Sequence, residues 1–339
     1  MIKNIDQFIS ELLTDFNPNQ VKVLSGRFGL KNGEELTLQS IGDEIGITRE
    51  RVRQIEEYSI KKLTPKIKEK AGEFLKFSNK HLLDLGGVRR DDNFINDIKY
   101  LLKLNENAVK NADQKIRFLY FIAETPNYQT EDDDMHGFWY SDDKAKNKFL
   151  DLVKNLTTFL RKSDKKAILE DKAHLKYSKD FVSGHLISIP KHFGSNIFGD
   201  FGLREWPEIE PRGIRDKIYL VLRKYGKPLH FEEIAKQIKN FAFDNKPVHA
   251  QTAHNELISD DRFVLVGRGI YGLKELGYEP GTVKDVIVRL LKKNGPLTAK
   301  EVVNSVAKDR FFKENTVLLN LQNRQYFKKL PDGRYAVIK

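Results

Sequence analysis

The sequence predicts a mainly α-helical chain with small β wings, organised as tandem helix-turn-helix and winged-helix modules. Three observations carry this. A short helix, a glycine break and a longer charged helix follow one another across residues 36–63. Two stretches near the C-terminus repeat each other. Short β-branched runs flank glycine turns at 267–269 and 331–333, which marks small hairpins rather than one large sheet. A chain of 339 residues has room for several small domains, expected here at 1–72, 73–210, 211–279 and 280–339.

In the first of these, Thr37 caps a short helix in which Leu38, Ile41 and Ile45 recur at helical spacing. Gly46 breaks it, Ile47 plugs the turn, and Thr48 caps a second helix expected to run to about Leu63. At about 100° per residue, Val52, Ile55, Ser59 and Leu63 fall on one side of that helix and should pack on the first. Glu50, Gln54 and Lys61 face the other way, with Arg53 beside them and Arg49 and Arg51 at the entering end. In a helix-turn-helix the N-terminal part of the second helix meets base edges. Arg suits guanine O6/N7, Gln suits adenine N6/N7, and Glu accepts from the cytosine amino group.

Three segments in order, Val23-Leu24-Ser25-Gly26-Arg27-Phe28-Gly29-Leu30, Leu38-Gln39-Ser40-Ile41-Gly42 and Thr48-Arg49-Glu50-Arg51-Val52-Arg53-Gln54-Ile55-Glu56, resemble region 4 of the bacterial sigma-70 family over about residues 15–66. That region reads a promoter element and touches the polymerase β-flap. The resemblance implies base contacts by Arg49, Glu50 and Gln54, with Arg27, Arg51 and Arg53 meeting the DNA backbone; Thr37 and Lys61 are further backbone candidates. Asn19 and Ser25 stand where the family often places Arg, which weakens the expected backbone grip. Nothing resembles region 2, the segment that binds the core enzyme and melts DNA, so a complete sigma factor is not expected.

The middle, 73–210, carries 22 basic and 23 acidic residues and is a poor phosphate binder by charge. His81–Val88, followed by periodic Phe94, Ile98, Leu101 and Leu102, looks like a further helix-turn-helix. Ile116–Ala123 and Gly137–Tyr140 are expected as its wing strands, with acidic Glu131–Asp134 between them. Phe149, Leu152, Val153, Leu156, Phe159 and Leu160 form an amphipathic helix, and Ile197–Leu203 with Trp206 suggests another wing.

Residues 214–273 and 283–337 read as two copies of one module. Ile218, Leu222, Pro228, Leu229, Glu233, Ile234 and Ile238 match Val286, Leu290, Pro296, Leu297, Glu301, Val302 and Val306 at an offset of 68. Beyond a shortened connection the offset becomes 64, pairing Thr252, Leu257, Phe263, Val266, Gly269 and Tyr271 with Thr316, Leu321, Phe327, Leu330, Gly333 and Tyr335. Three helices and a two-stranded ribbon make each copy a winged helix, with Arg268 and Arg334 at the wing tips. The third helix of the second copy is amide-rich and ends at Arg324, a further candidate for the DNA backbone. Gly226–Ile234 and Phe263–Leu273 resemble the HARE-type helix-turn-helix domain, found also in the RNA polymerase delta subunit, over residues 211–275; the likeness implies DNA or polymerase binding without chemistry.

Charge separates these parts. The net +11 lies wholly in residues 211–339, which hold 25 basic and 14 acidic side chains; residues 281–339 alone hold 13 against 5. Such a stretch suits a polyanion. Enzymatic readings are weaker. No cysteine is present, which removes thiol nucleophiles, disulfides and cysteine-ligated zinc. Glu131–Asp134 with His136 could hold a divalent metal, although four like charges in a row usually make a solvated loop. Gly194 and Gly199 have the outer spacing of a phosphate loop, but Asp200-Phe201 replaces its Lys-Ser/Thr. Glu170-Asp171-Lys172, with Asp151 or Asp164, resembles half of a nuclease centre. His230 and His254 read as surface or packing residues.

No apolar run nears the roughly 20 residues needed to span a bilayer, and Met1-Ile2-Lys3-Asn4 opens no signal-peptide core. The expectation is therefore a cytoplasmic, nucleoid-associated, non-enzymatic transcription protein without cofactor. Double-stranded DNA is its expected partner and the polymerase core a further candidate. The rival readings are a polymerase-binding accessory factor and a restriction or nuclease-associated component.

Overall fold

The computed structural model describes residues 2, 4–104, 109–163, 165, 181–244, 246–309 and 312–338. They are mainly helical with small antiparallel sheets, as the patterning predicts, and divide into two compact units. Residues 1–194 with 201–203 form the first; residues 195–200 with 204–339 form the second.

The first unit opens with α1 (Ile5–Leu13), α2 (Pro18–Arg27), α3 (Leu38–Ile45) and α4 (Arg49–Lys70). The last runs a full two turns beyond the expected end at Leu63. Pro65 lies inside it and cannot donate to the preceding turn, yet the helix persists because Leu63 and Ile67 on either side are fully buried. Next come α5 (Gly72–Asp84), β1 (Val88–Arg90), α6 (Asp91–Leu101), α7 (Ala112–Ala123), β2 (Asn127–Gln129) and β3 (Phe138–Tyr140), with the three strands ordered β1-β3-β2. This is a winged helix, and it corrects one expectation: Ile116–Ala123 is the third helix, not a strand.

The misreading has a physical cause. An ordinary surface helix shows one apolar face, but α7 is buried almost all round. Phe118 packs edge-on against Phe28 at 5.1 Å, while Tyr120 stacks on Phe74 at 5.5 Å and meets Trp139 at 5.2 Å. Asn111 and Gln114 at the start of α7 donate to the carbonyls of Lys31 and Gly33, and Lys115 pairs with Asp6. A single apolar cluster thus runs from Ile5 through Leu24, Leu63 and Ile67 to Phe118 and Trp139, across the boundary expected at residue 72.

Beyond it lie α8 (Asp143–Lys162), whose Phe149, Val153, Leu156 and Leu160 are buried as its periodicity requires, and α9 (Phe181–Leu186). A two-stranded ribbon of β4 (Phe193–Ser195) and β5 (Phe201–Leu203) follows.

The second unit holds two winged helices. The first comprises α10 (Ile214–Tyr225), β6 (Leu229–His230), α11 (Phe231–Phe241), α12 (Ala250–Ser259), β7 (Phe263–Gly267) and β8 (Ile270–Leu273), with strand order β6-β8-β7. The other has α13 (Val283–Asn294), α14 (Ala299–Asp309), α15 (Glu314–Leu321), β9 (Phe327–Lys329) and β10 (Tyr335–Val337). The repeat holds at the level of register: Leu229 pairs with Tyr271, and their counterparts Leu297 and Tyr335 form a bridge. What the sequence concealed is the two-residue strand β6, which turns the expected ribbon into a three-stranded sheet.

Candidate nucleic-acid interface

The interface begins with how α3 and α4 meet. Gly42 is obligatory because a Cβ there would lie 2.6 Å from the Ile47 carbonyl oxygen, and Gly46 turns the chain at φ +72. Thr37 Oγ1 accepts from Ser40 N at 3.1 Å and Thr48 Oγ1 from Arg51 N at 3.2 Å, so both hydroxyls act as helix caps. Val23, Ile41 and Val52 form a small core with Leu36, Leu38, Ile45, Ile47 and Ile55 around them. Val52 and Ile55 pack on α3 as expected; Ser59 and Leu63 are buried too, but Leu63 joins the larger cluster with Leu24 and Phe118 instead. The Ser59 hydroxyl has no hydrogen-bond partner among the described residues.

Arg49, Glu50, Arg51, Arg53, Gln54 and Lys61 are all exposed on α4. Several already hold one another. Arg53 Nη2 pairs with Glu50 Oε1 at 2.7 Å and Arg53 also pairs with Glu57, while Arg51 Nη1 donates to Gln54 Oε1 at 3.0 Å. The Arg53 hydrogen bond holds the Glu50 carboxyl below the usual carboxylate range, and Glu50 in turn raises the Arg53 guanidinium above its ordinary value. Glu50 therefore stays an acceptor-only carboxylate. Exposed pairs of this kind contribute little to stability, so exchanging them for base or phosphate partners is cheap. The Arg49 guanidinium has no hydrogen-bond partner among the described residues.

Arg27, expected to meet the DNA backbone, already has partners within the chain. Its Nε donates to Glu56 Oε1 at 2.9 Å and its Nη1 to the Leu36 carbonyl at 2.8 Å, with the Glu56 side chain only 15% exposed. The guanidinium ties α2, the 28–37 loop and α4 together, and thereby sets how α4 is presented. Ser25 is buried in α2, while Asn19 lines a groove of about 550 Å³ with Asn17, Gln20, Arg51, Gln54 and Tyr58. Tyr58, 60% exposed, was missed from the sequence. Its signal was the i, i+4 spacing that sets Glu50, Gln54 and Tyr58 along one side of α4.

In the second unit, Arg268 and Arg324 are exposed, the former in the two-residue turn between β7 and β8. Arg334 is exposed and pairs with Asp332 at 2.6 Å. His230 caps α11, accepting from Glu232 N, and the His254 ring lies 4.6 Å from Phe231.

The other candidate chemistries can be placed too. The Glu131–Asp134 run is exposed, with Glu131 paired to Lys191 at 2.7 Å and the Asp132 carboxylate accepting from the backbone of Asp134 and Met135. Among the described residues no three His, Cys, Asp or Glu side chains group to hold a metal. In the loop of Gly194 and Gly199, Asn196 Oδ1 accepts from the backbone N–H groups of Phe198 and Asp200, so the donors a phosphate would need are taken. Glu170, Asp171, Lys172 and Asp164 lie outside the described residues. No helix among the described residues is long and apolar enough to cross a membrane.

The first unit thus opens with a helix-turn-helix that presents an exposed, charged second helix, and a winged helix follows within the same unit. Residues 12–64 match the family model described as Sigma-70, region 4. Over 53 residues the chain is 45% identical to the RNA polymerase sigma factor SigA of Clostridium acetobutylicum, covering 16% of this chain and 14% of that protein. Over 54 residues it is 50% identical to the RNA polymerase sigma-B factor of Nostoc sp., covering 16% of each. Over 63 residues it is 36% identical to the RNA polymerase sigma factor RpoD of Neisseria gonorrhoeae, covering 19% of this chain and 10% of the relative. The chain therefore spans only a small part of these relatives, a stretch that supports a DNA-binding, transcription-related role. No solved structure matches it significantly.

Proposed function

We propose that this chain is a non-enzymatic, sequence-specific DNA-binding protein of bacterial transcription, acting at the nucleoid. In this reading α4 enters the major groove of a promoter-like element, and Arg49, Glu50 and Gln54 contact base edges. Thr37, Arg51, Arg53 and Lys61 meet phosphates, and Arg268, Arg324 and Arg334 add backbone affinity from the C-terminal tandem. The HARE-type likeness of residues 211–275 fits the same role. The observation that carries the proposal is the exposure of the N-terminal half of α4 within the very segment that matches sigma region 4.

The burial of residues 12–64 argues for DNA over a polymerase docking site as their principal partner. Leu12, Phe16, Leu24, Leu30 and Leu63 are already covered in the cluster shared with α7, so little apolar surface is left for a polymerase element. Selection of bound duplexes from a random pool tests the reading. Arg49→Ala or Gln54→Ala should cost about 1–3 kcal/mol at one base step each. Equal loss on every sequence would sink base readout, and tight binding to core polymerase without DNA would favour the accessory-factor reading instead.

A further inference from the structure

The third helices of the two C-terminal modules expose the same chemistry. On α12, Gln251, Asn255 and Ile258 stand at i, i+4 and i+7 and so share one face; all three are exposed, Ile258 by 65%. Sixty-four residues on, at the positions the repeat makes equivalent, α15 and its cap carry Asn315, Leu319 and Gln322, also exposed, Leu319 by 69%. Each trio is two carboxamides and one aliphatic, in a different order and without charge. In a chain with 32% charged residues, a merely solvated face would be expected to carry Lys and Glu instead.

This is the set of side chains that reads A·T pairs. Asn and Gln bond adenine N6/N7, and aliphatic groups contact the thymine methyl. On α12 the amides are already arranged. Gln251 Nε2 donates to Asn255 Oδ1 at 3.1 Å, which leaves the Gln251 oxygen to accept and the Asn255 nitrogen to donate. Adenine presents the complement, N6–H to donate and N7 to accept.

Cations border both faces. A Cβ on Gly269 would lie 2.6 Å from His230 Nε2, and the adjoining Phe231 ring lies 4.6 Å from His254, so the turn carrying Arg268 sits beside α12. Lys313 immediately precedes α15 and Arg324 follows Gln322 closely; both are exposed. With 13 basic and 5 acidic residues in 281–339, the surroundings favour a polyanion over an apolar protein partner.

We propose that the tandem is a second sequence reader, in which α12 and α15 enter the major groove and select A·T pairs, rather than a clamp that grips phosphates alone. The proposal does not rest on base readout by α4.

Selection of duplexes by the full chain tests it. The wild-type protein should enrich an A·T tract besides the α4 element. A Gln251→Ala/Asn315→Ala variant should lose preference for the tract by roughly five- to hundredfold and keep the α4 element. An Arg49→Ala/Gln54→Ala variant should do the reverse. Replacing thymidine by deoxyuridine in the tract should weaken wild-type binding about fourfold for each methyl contacted, and should not affect an Ile258→Ala/Leu319→Ala variant; the wild-type arm needs no altered protein. Absence of an A·T tract, its survival in Gln251→Ala/Asn315→Ala, or indifference of the wild type to the methyl would overturn the proposal. Loss of the α4 element alone would overturn only the reading of α4.

Discussion

Arg27 shows how one side chain can carry two incompatible readings. By resemblance it meets a phosphate; in the structure its guanidinium is spent on Glu56 and the Leu36 carbonyl. The two roles separate experimentally. If it positions α4, Arg27→Ala should lower stability by about 1–2 kcal/mol, since hydrogen bonds to charged groups contribute 1.5–3 kcal/mol when sheltered and this pair is partly exposed. Binding would then weaken alike on all sequences, with no change in salt slope. If it meets phosphate, a urea midpoint would stay put and the slope of log K against log salt would fall by about one. The phosphate reading comes from the resemblance, carried over by position. The acidic partner of Arg27, Glu56, lies 29 positions away, and spacing along the chain does not reveal that contact.

At the scale of elements, legibility follows amphipathicity. Helices α8, α11 and α13 bury one face each, so their periodicity announced them. Helix α7 buries both faces, so its pattern of Ile, Phe, Leu and Tyr lost the period and mimicked a strand. That double burial makes it the shared support of the first unit. Phe118→Ala should cost about 3–5 kcal/mol by leaving a cavity against Phe28, read as a lower urea midpoint at an unchanged slope. Separate melting of the segments on either side of α7 would contradict a common core.

The helix caps of the last module give a pH signature. The Asp285 carboxyl is held below its ordinary 3.8 by hydrogen bonds from the Thr282 hydroxyl and backbone, and Glu301 below its ordinary 4.5 by those from the Thr298 backbone and hydroxyl. Depressed folded values mean that the unfolded chain takes up these protons first. The capping contribution is therefore whole above the ordinary values and drains as pH falls through the lower folded ones. The unfolding midpoint should be flat from about pH 8 to about pH 5 and fall below that. Asp285→Asn/Glu301→Gln should start lower and show a shallower acid decline; an unchanged decline would assign it to other carboxylates.

For the whole molecule, the placement of charge predicts a division of labour. Residues 1–70 carry 12 basic and 11 acidic side chains, and on α4 Arg53 is already paired with Glu50 and Glu57, so this segment offers little net charge for general attraction. The winged helix that follows adds no net positive charge: its third helix is buried, and the segment between its last two strands is acidic rather than basic. Residues 211–339 hold the entire net excess. The larger share of salt sensitivity should therefore belong to the tandem and the preferred α4 element to the first unit. Replacing Arg268, Lys313 and Arg324 by Gln in the full chain should reduce the slope of log K against log salt by about one for each contact removed. The base preferences at the α4 element should survive that loss. Arg49→Ala should do the opposite, relaxing one base position while changing the slope little. A slope unmoved by the triple change would mean that the exposed cations of the tandem do not face DNA, and its excess charge would then need another polyanion to explain it.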